Sequence, residues 1–268
     1  MIFRVPFFLF VLLPVMIVII PLQALINALR LPFWHVLPRL FHRIGCIFLG
    51  LRVRVIGQPA TGRATLLVSN HISWTDIVAV GSVADVTFVA KREVADWFFV
   101  GMMARLQKTI FVDRTRRSDA GRTAQEMGAH MASGNAVLLF AEGQSDIGTH
   151  VLPFRSALVG AAQHAMIDAG ARDVLIQPLT IAYTRLQGLP ISRNERSMVA
   201  WIKSRSVRRN IADILSGPVK DVTVAFGAPR PLSQTDNRKL VTKAAEDDVR
   251  AMLVALNRGQ SMPLRDRP

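Results

Sequence analysis

The chain has 268 residues, half of them hydrophobic, and 33 basic against 19 acidic side chains give a formal charge of +14. That length supports one catalytic-size core, and a basic surface on so greasy a chain points to anionic lipid rather than nucleic acid, whose binders are more polar and richer in exposed aromatics. A single cysteine, Cys46, rules out an internal disulfide, and no Cys/His cluster has metal-ligand spacing, so neither a disulfide scaffold nor a metal site is expected.

From Val5 to Leu29, VPFFLFVLLPVMIVIIPLQALINAL, there is no charged residue. At about 1.5 Å per residue this is long enough to cross a bilayer. It exceeds the roughly 7–15 apolar residues of a leader, and no small-x-small site closes it, which favours a retained membrane segment. Pro14 and Pro21 should kink a helix here. The next stretch, LPFWHVLPRLFHRIGCIFLG, carries His35, Arg39, His42 and Arg43 at helical spacing among Leu, Phe and Ile, an interfacial pattern. Residues 1–50 are therefore expected to be hydrophobic membrane-anchoring helices, spanning or lying in one leaflet, and 51–268 an α/β catalytic domain. Arg30, Arg39, Arg43, Arg52 and Arg54 follow the apolar segment and place that domain on the cytoplasmic side of the inner membrane.

Beyond residue 50 the hydrophobic period alternates. VRVIG, ATLLVSN and TFVAK read as strands, EVADWFFVGMMARLQ as a helix and KTIFVDR as a strand. AGRTAQEMGAHMASG then reads as a helix closed by Gly134, AVLLFAEG as a buried strand and SALVGAAQHAMIDAG as a helix. DVLIQPLTIAY and VKDVTVAFG are further strands, and RKLVTKAAEDDVRAMLVAL is a final amphipathic helix. The stretch SRNERSMVAWIKSRSVRRN, with Lys203, Arg205, Arg208 and Arg209, reads as a basic surface excursion. The fold class is α/β, a mixed and mostly parallel sheet flanked by helices.

The polar clusters fall at strand ends: His71 after LLVSN, Asp113 and Arg114 after TIFV, Glu142 after VLLFA. Open α/β sheets bind ligands beyond the carboxyl ends of their strands. In SNHISWTDI, a turn into a helix near Trp74 would bring Asp76 back to His71, and a carboxylate on its second nitrogen would hold the imidazole in one tautomer as a base. This is two thirds of a serine-hydrolase triad. A substrate hydroxyl could stand in for the serine, giving acyl transfer without an acyl-enzyme. The plain alternative is that Asp76 caps a helix beginning at Ile77 and His71 is a turn residue. GQSDIG, Gly143 to Gly148, is one residue out of register with a nucleophile elbow, so Ser145 is a poor nucleophile candidate. Arg114, Arg116, Arg117 and Arg122 could bind a phosphate or solvate a helix start; there is no glycine-rich phosphate loop. A non-enzyme reading is a membrane-tethered basic adaptor.

NHISWTD resembles the His-x4-Asp block of the lysophospholipid (glycerolipid) acyltransferase family, IFVDR its second block, FAEGQS its third and VLPF its fourth, in order and spacing over about residues 65–185. The resemblance implies His71 as general base and Asp76 as its orienting partner. It places Phe111, Asp113, Arg114, Glu142 and Gly143 at the acceptor-lipid site and Pro153 on the acyl-donor side. It implies an acyl thioester of coenzyme A or acyl carrier protein as co-substrate, no other cofactor and no metal, and membrane lipid as the partner. Ala141 stands where the family has proline, and Gln144-Ser145-Asp146 where it has Thr-Arg-Ser. The missing arginine would help hold the phosphate of lysophosphatidate, and a bidentate guanidinium is not replaced by serine. That absence argues against the usual acceptor, and the IFVDRTRR and AYTRLQGLP stretches are similar to the branch acylating lyso-ornithine lipid, a phosphate-free acceptor; acylation of lysophosphatidate to phosphatidic acid is the alternative.

Overall fold

The computed structural model describes residues 4–112, 127, 128, 130, 136–157, 159, 160, 163, 174–202, 206–233 and 235–262. Asp113 and Arg114 and most of the helices expected over 120–134 and 156–170 lie outside the described residues.

Helices α1 (Arg4–Phe7) and α2 (Leu13–Ala28) run on through a π turn, Phe8–Leu12, as one apolar rod, Arg4–Ala28. The π turn lies immediately ahead of Pro14, whose missing N–H breaks the regular ladder. Leu12, Ile19, Gln23 and Ile26 turn toward the body, while Leu9, Phe10, Ile17, Val18 and Leu25 face outward. Polar side chains on the inner face fix the rod: Gln23 Nε2 donates to the carbonyl of Trp34 (2.8 Å), and Asn27 Nδ2 to that of Leu106 (2.8 Å).

Helix α3 (Val36–Leu49) ends in a left-handed Gly50. Its polar side chains find partners within the fold. Arg39 pairs with Asp85 at 2.9 Å, Arg43 donates to the Ser82 carbonyl, and buried His42 meets Gln107 at 2.8 Å. Val36, Leu40 and Ile47 are exposed, and so is Arg43. Cys46 and Leu49 join the core beneath the sheet, so α3 also packs against the α/β unit.

Nine strands among the described residues make one sheet: β1 (Leu51–Ile56), β2 (Thr65–Ser69), β3 (Val86–Lys91), β4 (Ile110–Val112), β5 (Ala136–Phe140), β6 (Leu175–Leu186), β7 (Leu189–Pro190), β8 (Lys220–Phe226) and β9 (Arg230–Pro231). The main order is β1-β8-β6-β2-β5-β3-β4, with β7 and β9 also paired to β6. From β6 to β4 the neighbours are parallel; the β1–β8 pair is parallel within itself and antiparallel to β6. Strands β2 and β5 are buried throughout, which explains their continuous apolar runs. Alternate residues feed two cores: Leu66, Val68, Val137 and Leu139 on one face, Leu67 and Leu138 on the other. The first face is covered by the amphipathic helix Arg238–Asn257, through Val249 and Leu253; the second by α3 and α4 (Thr75–Gly81).

Two stretches differ from the periodic reading. The helix expected over 93–107 divides into a 3-10 turn, Arg92–Asp96, and α5 (Phe98–Leu106), with Trp97 extended between them. A Cβ on Gly101 would sit 2.2 Å from the Ala95 carbonyl oxygen, so the two pieces pack too closely for a single rod. The basic excursion at 192–210 is partly core: Arg196, Val199 and Ala200 are buried, and Val207–Ser216 is helix α6. Arg196 is held there by the Gly148 carbonyl and Asn257.

Candidate active site

Parallel pairing of β2 with β5 and β6 brings the loops after β2 and β5 to one end of the sheet, with the continuing half of β6 as a wall. Asn70 ends β2 by imitating a strand partner: its amide donates to the Ile181 carbonyl and its carbonyl accepts from Ile181 N–H, both at 2.9 Å. The loop cannot slide along β6. It is tied again by Asp146 N–H to the His71 carbonyl and Trp201 N–H to the Ile72 carbonyl, each 2.9 Å.

On this frame His71 Nδ1 lies 2.8 Å from Asp76 Oδ2. The same oxygen accepts from the backbone N–H of Ile72 (2.7 Å) and Ser73 (3.0 Å), and Oδ1 accepts from the Tyr183 hydroxyl at 2.9 Å. Asp76 is 0% exposed and sits in the first turn of α4. Four donors on one buried carboxylate compensate its desolvation. The helix begins at Thr75 with Trp74 at its N-cap and no side-chain cap, so Asp76 does not cap a helix at Ile77; it closes the turn ahead of the helix and meets the histidine. Because the carboxylate can only accept, Nδ1 donates and Nε2 carries the lone pair. Phe140, the last residue of β5, stacks on the imidazole with ring centroids 4.1 Å apart and planes at 21°. This support was missed from the sequence; its only signal is the aromatic residue opening the FAEG block.

Glu142 is 3% exposed. Oε2 accepts from His71 N–H and Oε1 from Leu152 N–H, both at 2.7 Å, so the carboxylate joins the first, third and fourth blocks through their backbones. Burial pushes its carboxyl up to about 8; the two N–H groups pull it down, and nearby Asp146 and Asp76 push it up. Pro153 follows Leu152 and is exposed. Gly143 has φ +73, and a Cβ there would be 2.6 Å from Nε of Arg155, whose side chain crosses it. Ser145 Oγ donates to the Trp201 carbonyl, so this hydroxyl serves the loop. Phe111 stands on β4, three strands from β2 and about 14 Å away across the sheet; Arg105 lies over its ring. The structure therefore brings His71, Asp76, Glu142 and Gly143 together and leaves Phe111 at the edge. Among the described residues there is no group of three or more His, Cys, Asp or Glu side chains that could hold a metal ion.

A parallel-sheet α/β enzyme with a His–Asp pair beyond its central strands is what fold and site define. The Acyltransferase family model matches residues 52–182. The chain is 40% identical to the lyso-ornithine lipid O-acyltransferase of Brucella abortus over 91% of its own length and 92% of that protein. It is 38% identical to the enzyme of the same name from Rhizobium meliloti over 92% and 85%. The crystal structure of the 1-acyl-sn-glycerophosphate (LPA) acyltransferase PlsC from Thermotoga maritima superposes with a TM-score of 0.61 at 20% identity, covering 83% of this chain and 79% of that one, a likeness of fold. The chain belongs to the acyltransferase family.

Proposed function

We propose that the chain is a membrane-bound O-acyltransferase moving a fatty acyl group from an acyl thioester, of acyl carrier protein or coenzyme A, to the hydroxyl of lyso-ornithine lipid. The observation that carries this is the 2.8 Å contact between His71 Nδ1 and fully buried Asp76. Nε2 removes the proton from the acceptor hydroxyl as its oxygen attacks the thioester carbonyl. The tetrahedral intermediate collapses with loss of the thiolate, which takes the proton back from the imidazolium and leaves as free thiol. Asp76 stabilises the imidazolium formed in between. No protein side chain becomes acylated and no metal is required.

The acceptor assignment rests on the names and coverage of the two relatives and on Ser145 standing where lysophosphatidate enzymes are expected to carry arginine. Phosphatidate formation from 1-acyl-sn-glycerol-3-phosphate is the second reading, favoured by one observation: the exposed Arg155 side chain lying across Gly143. We assign residues 1–50 to membrane anchoring and 51–268 to the acyltransferase unit, on the cytoplasmic face of the inner membrane. The support is the exposed apolar side of Arg4–Ala28, extended by Phe33 and Ile47. A radiolabelled acyl-transfer assay on membranes against a panel of lysolipids tests the function. His71→Ala should lower turnover by about 10²–10⁴ with membrane attachment intact; near-normal turnover in that variant would overturn the mechanism.

A further inference from the structure

Tyr183, the chain's sole tyrosine, lies on β6 some hundred residues from the His-x4-Asp block and is 1% exposed. Its hydroxyl bonds two residues of that block at once. It donates to Asp76 Oδ1 at 2.9 Å and lies 2.7 Å from Thr75 Oγ1. Since the tyrosine proton is committed to the carboxylate, Thr75 is left as donor to the phenol oxygen. The relay then runs Thr75 O–H to Tyr183, Tyr183 O–H to Asp76 Oδ1, and His71 Nδ1–H to Asp76 Oδ2.

We propose that Tyr183 is a positioning residue for the His71–Asp76 pair, fixing the rotation of the Asp76 carboxylate and dividing its charge between the two oxygens. The inference rests on the general-base reading of His71. Geometry supports it independently of any role in packing: the ring fills the core with Leu179, Ile181 and Val222, but phenylalanine would do that equally well. A buried phenol whose one proton faces a buried carboxylate is there for the carboxylate. Burial and the charge of Asp76 raise the phenol well above its ordinary range, so it stays a donor throughout the working range. The other ionisable groups around the relay are Glu142 and Asp146 from the loop after β5 and Cys46 from α3. Tyr183 is the one among them that touches Asp76 Oδ1.

The test compares wild type, Tyr183→Phe, Thr75→Val and His71→Ala as full-length chains in mixed micelles of lysolipid and detergent. In Tyr183→Phe, kcat should fall roughly tenfold with the lysolipid KM unchanged, because the base is misdirected rather than the acceptor lost. With more charge left on Oδ2, the acid limb of kcat/KM should move up by about half a pH unit or more. The downfield proton resonance of the His71 Nδ1–H, assigned by its loss in His71→Ala, should move further downfield. Thr75→Val should shift limb and resonance the same way by less, and serves if Tyr183→Phe does not fold. Unchanged kcat, limb and resonance in a folded Tyr183→Phe would overturn the proposal, as would lowered stability with all three unchanged. Retained turnover in His71→Ala would instead sink the general-base reading, which the resonance measurement does not depend on.

Discussion

Replacing Asp76 by asparagine separates the carboxylate's charge from its shape. With its oxygen where Oδ2 now sits, the introduced amide could still accept from His71 Nδ1, Ile72 N–H and Ser73 N–H, now 2.8, 2.7 and 3.0 Å away. Its NH₂ group would face the Tyr183 hydroxyl, which can turn to accept. The fold should survive, but the imidazolium formed during the reaction would meet a neutral oxygen. A charge-assisted bond is worth about twice a neutral one, and with the lost Coulombic term in a dry site this comes to ~3–4 kcal/mol, or a rate lower by about 10²–10³. Asp76→Ala is a different perturbation. It takes the acceptor from four donors, each costing ~1–3 kcal/mol if left unpaired, a sum comparable with the whole stability of a domain at ~5–15 kcal/mol. The assay is radiolabelled acyl transfer per folded molecule, with urea unfolding of all three proteins. Asp76→Asn should unfold near the wild-type midpoint and turn over about 10²–10³ times more slowly; Asp76→Ala should give little folded protein. An asparagine variant within about threefold of the wild-type rate would refute the reasoning, because the charge would then have no part in catalysis.

Glu142 titrates in the fold at about 8 rather than 4.5, so its stabilising contribution is complete below pH 4.5 and is lost as pH rises through 8. Relative to Glu142→Gln, which cannot titrate, the wild type should lose stability by roughly 4–5 kcal/mol across that window; a difference flat in pH, read by urea unfolding, would show the carboxyl to be unperturbed. Ser145→Arg should shift competitive acylation from lyso-ornithine lipid toward lysophosphatidate by one to two powers of ten, each charge-assisted bond being worth ~1.5–3 kcal/mol, and a wild type already preferring lysophosphatidate would give the phosphate to Arg155. Deleting residues 1–30 should release the protein from vesicles, with residual binding that falls as salt is raised; it should leave a folded domain, less stable for losing the Gln23 and Asn27 bonds and the Arg4 guanidinium's bonds to the carbonyls of Ile214 and Gly217. Vesicle binding that persists in high salt would place the anchor elsewhere.

What the sequence by itself determined is local or repetitive. The uncharged run Val5–Leu29, the buried strands AVLLFAEG and ATLLVSN and the amphipathic helix near the end follow from hydrophobic period alone, and the order of the four blocks marked His71 and Asp76. Polarity without partners was not enough elsewhere. The spacing of His35, Arg39, His42 and Arg43 identified a helix with a polar stripe but not what its side chains meet. Asp85 and Gln107 decided that, more than forty residues further on. Arg196 lies in a stretch that reads as basic surface and is buried because Gly148 and Asn257 meet its guanidinium. The same holds at the centre of the site. Phe140 stacks on His71, Glu142 binds the backbone of His71 and Leu152, and Tyr183 reaches Asp76 because parallel pairing sets β5 and β6 on either side of β2. Period records which face of an element is buried; which side chain from another strand arrives there depends on sheet order and register, and these are settled only when the whole core closes.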